Sequence, residues 1–223
     1  MSRADEIRAN LQDVEARIAA ACARAGRSRA AVKLVAVTKT FPAADVDRAV
    51  NAGVTDVGEN KVQEGRDKKP SVVAAARWHL IGHLQSNKVK DAVRLFDVIH
   101  TVDSADLAGK LARVAETMEK RQEVLLQVNI GREAQKSGAE IGEVAALARN
   151  VAALGPLHLT GLMAIPPAGD AEAMRPYFRE LKALGDDLGL PELSMGMTDD
   201  FEAAVEEGAT ILRVGRAIFG ARG

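Results

Sequence analysis

Short β-branched runs alternate with longer stretches in which apolar residues recur every three or four positions, and the alternation continues to the end of the chain. The first stretch, residues 2–24, puts Ile7, Leu11, Val14, Ile18 and Ala21 on one face and stops near Gly26, which predicts a helix with one buried stripe. Eight runs read as strands: residues 32–37, 54–58, 77–81, 96–101, 123–128, 157–162, 192–195 and 210–214. Helical patterns fall between them at residues 43–52, 104–121, 141–154, 171–188 and 199–207. Four of these stop at a glycine (Gly53, Gly155, Gly189 and Gly208), the residue that most readily takes a left-handed C-terminal conformation.

Strands alternating with helices of this length predict an α/β fold with a parallel sheet, and eight strands is the number that closes a (β/α)8 TIM-type barrel. Only nine residues follow Val214, too few for a full covering helix, so the extra N-terminal helix is expected to cover that gap. The competing arrangement, an open doubly wound sheet, has a glycine-rich first turn. Here the first strand runs into Thr38-Lys39-Thr40-Phe41-Pro42, which holds no glycine. No linker or low-complexity tract divides the chain, so residues 1–223 are read as a single domain.

Composition narrows the function classes. Thirty basic against thirty-one acidic side chains leave a formal charge of −1, which argues against a dedicated nucleic-acid binder. Aromatic residues at 3% are too few for base-stacking platforms. No run approaches the roughly 18 apolar residues of a membrane span, and the first twenty residues carry Asp5, Glu6, Asp13 and Glu15, unlike a secretory leader. Cys22, the one cysteine, makes neither an internal disulfide nor a thiolate metal cage and is expected to be a small buried hydrophobe; a cytoplasmic location follows as the expectation.

In such barrels the chemistry is built where the strands end. The predicted ends carry Lys39, Glu59-Asn60, Gly82-His83, Asn129, Met163, Ser194-Met195-Gly196, and then Arg213 with Gly215-Arg216. Lys39 follows an apolar strand directly, so its ammonium is expected in the mouth of the barrel, partly desolvated and made more nucleophilic by a nearby cation such as Arg213. The plain alternative is a lysine that snorkels into water. The turns after the seventh and eighth strands, around Ser194-Met195-Gly196-Met197-Thr198-Asp199 and Val214-Gly215-Arg216-Ala217, occupy the usual phosphate-binding position of this fold. Either could also be an ordinary turn. Gly-x-x-x-x-Gly-Lys-[Ser/Thr] and Gly-x-Gly-x-x-Gly are both absent from the sequence, which disfavours nucleoside triphosphates and dinucleotides. A Schiff-base lysine facing a phosphate cup suits an aldehyde that carries a phosphate, and pyridoxal 5′-phosphate has both on one ring.

Five segments carry a specific resemblance: Ala36-Val37-Thr38-Lys39, Gly58-Glu59-Asn60-Lys61-Val62-Gln63-Glu64, Trp78-His79-Leu80-Ile81-Gly82-His83-Leu84-Gln85-Ser86-Asn87-Lys88, Leu193-Ser194-Met195-Gly196-Met197, and Arg213-Val214-Gly215-Arg216-Ala217-Ile218-Phe219-Gly220. In order and over nearly the whole chain they resemble the YggS/PROSC family of pyridoxal phosphate homeostasis proteins. The resemblance implies a fold-type III barrel like the N-terminal domain of alanine racemase, with the cofactor held by Lys39 as an internal aldimine. It further implies that Asn60 lines the cofactor, that Ser194 and the backbone of Gly215 and Arg216 form the phosphate cup, and that Arg213 faces the pyridine nitrogen. The sequence departs from the family pattern at three points: Arg216 stands where many relatives have Thr or Ser, Gly131-Arg132 replaces a Ser-Asp pair, and His83 stands where part of the family has Pro.

The implied function is a monomeric protein that binds pyridoxal 5′-phosphate and buffers it or delivers it to apo-enzymes, without turnover of its own. A pyridoxal-phosphate racemase and a cofactor-free Schiff-base aldolase are the alternatives. Racemases of this fold add a β-rich second domain and a second acid–base group, whereas this chain ends at Gly223 and its one tyrosine, Tyr177, falls in a surface-type helix. Binding is therefore expected over catalysis. No metal site is expected: His79 and His83 lie on a strand and its turn, which do not aim both rings at one ion, and His100 and His158 read as satisfied strand residues. Glu59 is either a proton acceptor near the ring or a structural carboxylate, and Lys61, Lys68 and Lys69 read as a solvated helix face. The loop from Gly131 to Gly138, with Lys136, reads as a plain solvated loop in preference to a lid or a secondary cofactor contact.

Overall fold

The computed structural model describes residues 1–220, in which eight parallel strands close on one another in chain order. They are β1 (Lys33–Val37), β2 (Asp56–Glu59), β3 (Arg77–Leu80), β4 (Val98–Val102), β5 (Gln122–Val128), β6 (Leu157–Ala164), β7 (Glu192–Ser194) and β8 (Ile211–Val214). Around them run α1 (Arg3–Arg24), α2 (Ala43–Asn51), α3 (Val62–Lys68), α4 (Val89–Leu95), α5 (Ala105–Thr117), α6 (Ile141–Ala152), α7 (Ala171–Asp187), α8 (Phe201–Glu206) and α9 (Arg216–Phe219). Closure is made by β1, in which Val35 lies opposite Asp56 on one side and Arg213 on the other. The predicted (β/α)8 barrel is the observed fold.

Strands covered on both faces need apolar residues at nearly every position, which is why the predicted runs were continuous rather than alternating. Outward-facing Leu34, Ala36, Trp78, Leu80, Leu212 and Val214 merge with the helix stripes into one large apolar layer. Inward-facing Val35, Val98, Leu125, Met163 and Ile211 form a separate, smaller cluster inside the barrel.

Helix α1 buries Ile7, Leu11, Val14, Ile18 and Cys22 on its inner face, and its N-terminus is closed by a reciprocal Ser2–Asp5 capping box. It covers the gap beside the short α9, as expected: Asn10 donates to the Ile218 carbonyl at 3.0 Å and Arg3 to that of Phe219 at 2.8 Å. Sequence periodicity missed α3 and α4, each of which is only two turns long. Residue 96, read as the start of the fourth strand, instead follows α4, and the fully buried Phe96 ring packs into the outer layer. Helix α5 stops at Thr117, short of the expected residue 121, because Glu119 takes φ 50° to turn the chain into β5. Gly53, Gly189 and Gly208 have the expected positive φ, whereas Gly155 does not. Among the described residues no helix is long and apolar enough to cross a membrane.

Candidate functional site

The strand ends meet over a cavity of about 190 Å3. Strand β1 delivers Lys39 to it through a clamped residue, Thr38, which is fully buried. The Thr38 amide donates to the Gly58 carbonyl at 3.0 Å, its hydroxyl donates to Glu59 Oε1 at 2.6 Å, and its own carbonyl accepts from Lys68 Nζ at 2.7 Å. On the other side of Lys39, the Phe41 ring lies against Phe219 with centroids 4.9 Å apart. The half-buried lysine therefore stands on a backbone that has little freedom to move.

Strand β2 continues into Asn60, and Gly82 after β3 lets that residue take its place. A Cβ at position 82 would sit 2.1 Å from the Asn60 carbonyl oxygen, so no other residue fits without moving Asn60. Strand β8 brings Arg213 into the barrel, only 3% exposed, and then Gly215 and Arg216. The loop after β7 adds Thr198 and Asp199, and Val37, Ile81 and Ile165 supply apolar walls. Arg216 is exposed and paired with Asp199.

Of the six residues singled out from sequence, Lys39, Asn60, Arg213, Gly215 and Arg216 line this cavity. Ser194 does not. The strand alternation turns it into the barrel, where its Oγ accepts from Arg213 Nη1 at 2.6 Å and lies 2.9 Å from His100 Nδ1. Thr198, at the far end of the same predicted turn, is the hydroxyl residue of that segment that lines the cavity.

Behind Arg213 lies a polar chain that crosses the barrel interior. From Ser194 it passes to His100, then from His100 Nε2 to His79 Nδ1 at 2.8 Å, and from His79 Nε2 to Asp56 Oδ1 at 2.8 Å. Arg213 Nη2 also donates to the Ala164 carbonyl at 3.0 Å. Burial pushes the Arg213 guanidinium down to about 10, against the attraction of Asp200, which still leaves it cationic at neutral pH. Burial, reinforced by the positive charges around it, pushes His100 well below the usual histidine range. For Asp56, burial acts upward, but hydrogen bonds from His79 and Thr55 outweigh it and hold the carboxyl low.

Of the two readings open for Glu59 the structural one holds, and two further expectations change. Glu59 faces the helix layer and not the cavity: it is fully buried, bonded to Thr38 and Lys68, and burial pushes its carboxyl up despite those partners. Lys68 and Lys69 are therefore not a solvated face. Lys68 is half-buried and paired with Glu59, and Lys69 lies 5.5 Å from the Trp78 ring centroid; Lys61 alone of the three is exposed. The loop from Gly131 to Gly138 is folded onto the mouth and not simply solvated. A Cβ at Gly131 would lie 2.8 Å from the Pro167 ring, Arg132 takes φ 54° and pairs with Glu180 at 3.1 Å, and Lys136 pairs with Glu133. With exposed His83, Lys136 lines a second cavity of about 330 Å3 that shares Asn60, Ile81 and Ile165 with the first.

His79 is committed to Asp56 and His100 in the interior, while His83 lies at the rim, so the two rings do not converge. The groove of about 540 Å3 between α1, α7 and α8 is larger than either mouth cavity, but it is rimmed by pairs already made, Arg17–Glu202 at 2.8 Å, Arg24–Glu206 at 2.6 Å and Arg175–Glu206 at 2.7 Å. The mouth of the barrel is where an amine, a buried cation and glycine-opened backbone share one space.

Comparison with known proteins agrees with this geometry. The family model described as alanine racemase, N-terminal domain, matches residues 4–223. The chain is 45% identical to the pyridoxal phosphate homeostasis protein of Pseudomonas aeruginosa, over 96% of this chain and 94% of that one. It is 41% identical to the protein of the same name from Escherichia coli strain K12, over 98% and 97% of the two chains. Among solved structures it resembles PipY of Synechococcus elongatus with PLP bound, at a TM-score of 0.84 and 34% identity, covering 96% of this chain and all (100%) of that one.

Proposed function

This chain belongs to the alanine racemase N-terminal domain family, and on that premise we propose that it binds pyridoxal 5′-phosphate at the barrel mouth through Lys39, acting in cofactor homeostasis without turnover. The names of the Pseudomonas aeruginosa and Escherichia coli relatives and the PLP-bound state of PipY support the reading. The observation that carries it is the placing of Lys39, buried Arg213 and the Gly215–Arg216 turn around one cavity.

When bound, the cofactor supplies a ring aldehyde open to attack by a neutral amine. Lys39 provides that amine, and the clamp on Thr38 keeps it at the mouth. Val37, Ile81 and Ile165 offer apolar surface to a flat ring, with Asn60 beside them. Arg213 is a lasting cation at the inner end, and beside a pyridine nitrogen it disfavours protonation there, which suits holding a cofactor better than driving carbanion chemistry. Gly215, Arg216 and Thr198 hold the phosphate. At position 216 a charge screened by Asp199 stands where a neutral hydroxyl would otherwise donate. Ser194 accepts from Arg213 inside the barrel. Lys39 is only half-buried and Arg216 is exposed at the rim, an opening compatible with hand-over to apo-enzymes that use the same cofactor.

Titration with pyridoxal 5′-phosphate should produce a bound chromophore in the visible range, and Lys39→Ala should abolish it while leaving weak phosphate-dependent binding. A chromophore of wild-type intensity in Lys39→Ala would overturn the role of that lysine. Loss of α-deuterium from amino acids at a steady rate would overturn the absence of turnover.

A further inference from the structure

The chain of buried polar side chains behind Arg213 has two ends of fixed character. Arg213 can only donate, and an ionised Asp56 can only accept. Between them stand two imidazoles and one hydroxyl, all at most 1% exposed. With a single proton on each ring, one arrangement satisfies every contact. Asp56 requires the His79 proton on Nε2, which leaves His79 Nδ1 to accept from His100 Nε2–H. His100 Nδ1 then accepts from the Ser194 hydroxyl, whose oxygen accepts from Arg213. Any other placement strands a donor or sets two donors against each other, which among buried groups costs a hydrogen bond. A second proton on His79 would force the His100 proton from Nε2 to Nδ1, set His100 Nδ1–H and Arg213 Nη1–H on the same oxygen, and leave the serine proton without this acceptor.

The four links span the barrel from β2, through β3, β4 and β7, to β8. They join a carboxylate near the amino ends of the strands to the guanidinium that lines the cavity at their carboxyl ends. The outer layer of the protein holds its elements with apolar contacts, so a stability role alone does not call for five hydrogen-bonding residues in the interior. Ser194 and the Ala164 carbonyl take one donor each from the two terminal nitrogens of Arg213, which fixes the plane of its head group.

We propose that Asp56, His79 and His100 are positioning residues for Arg213: a chain of hydrogen bonds, with every proton directed from Arg213 toward Asp56, fixes the guanidinium that faces the bound ring. The effect on binding rests on the reading of the mouth as a pyridoxal-phosphate site, but the proton order itself does not.

The test therefore has two parts. In the cofactor-free protein, nitrogen-15 NMR of the histidine rings should show His79 and His100 both protonated at Nε2 and bare at Nδ1. A wild-type ring protonated at Nδ1 would overturn the proposal, whether or not pyridoxal phosphate binds. Asp56→Asn keeps the shape of the acceptor but removes its charge and adds a competing N–H. It should mix the two ring tautomers and weaken pyridoxal-phosphate binding about tenfold. Ser194→Ala cuts the chain beside Arg213, and adding Asp56→Asn to it should weaken binding no further. Fully additive losses would contradict coupling through the chain. If the wild-type protein binds no pyridoxal phosphate, the functional reading fails while the ring tautomers still decide the proton order. If the variants do not fold, the wild-type ring signals decide alone.

Discussion

The inside and the outside of the barrel wall are built on opposite principles. Outside, where strands meet helices, contacts are apolar and spread over most elements, from Ile7 in α1 to Phe219 in α9. Inside, the apolar layer shrinks to Val35, Val98, Leu125, Met163 and Ile211, and a line of polar groups ends at Arg213. The helix–strand layer supplies stability through area removed from water, about 25 cal/mol per Å2. The interior gives up some of that area for hydrogen bonds whose net worth is small but whose geometry is strict. The contrast separates what keeps the chain folded from what prepares the mouth.

Substitutions on the two sides should therefore fail differently. The largest effect belongs outside: Phe178→Ala removes a fully buried ring from α7 and should cost about 3–5 kcal/mol in denaturant unfolding, with ligand affinity unchanged in the molecules that remain folded. At the mouth, Gly82→Ala drives a methyl group into the Asn60 carbonyl, and should cost about 1–3 kcal/mol while also weakening pyridoxal-phosphate binding, because Asn60 must move. An affinity loss in the first variant, or none in the second, would blur the division.

The smallest effect is a slope. His100 is held neutral by burial first, then by the nearby positive charges of Arg213, Lys33 and Arg77, while in the unfolded chain it titrates near 6.5. The unfolded state then binds more protons below that pH, so this stability is complete above about pH 6.5 and is lost as the pH falls, at about 1.4 kcal/mol per pH unit. Denaturant midpoints from pH 7 to pH 5 should show the slope, and His100→Gln should flatten it. An unchanged slope in that variant would mean that another group carries the pH dependence.

The two sides also differed in how much the sequence revealed. The outer layer was legible because α1, α5, α6 and α7 are long enough for a three-to-four spacing to repeat. Helices α3 and α4 were not, since two turns hold too few apolar positions: Val62 and Gly65 in one, Val89, Ala92 and Val93 in the other. At the mouth, Lys39, Asn60, Arg213, Gly215 and Arg216 were found because strand ends are a predictable address in this fold. Ser194 shares that address but points inward, and one position of alternation decides between the two. The interior chain was hidden for a related reason. Asp56, His79, His100 and Ser194 come from four strands, and nothing local in the sequence says that inward positions on those strands come within hydrogen-bond reach of one another. Lys68 reads as solvated from sequence because its partner, Glu59, lies nine positions away on a strand, a distance at which sequence shows no pairing.

The central claim is that one amine at the end of β1 takes the cofactor. Borohydride reduction of the protein loaded with pyridoxal 5′-phosphate, followed by peptide mass mapping, tests it most directly. A single pyridoxyl-phosphate adduct on Lys39 is expected. An adduct spread over surface lysines, or concentrated on another residue such as Lys136, would contradict it.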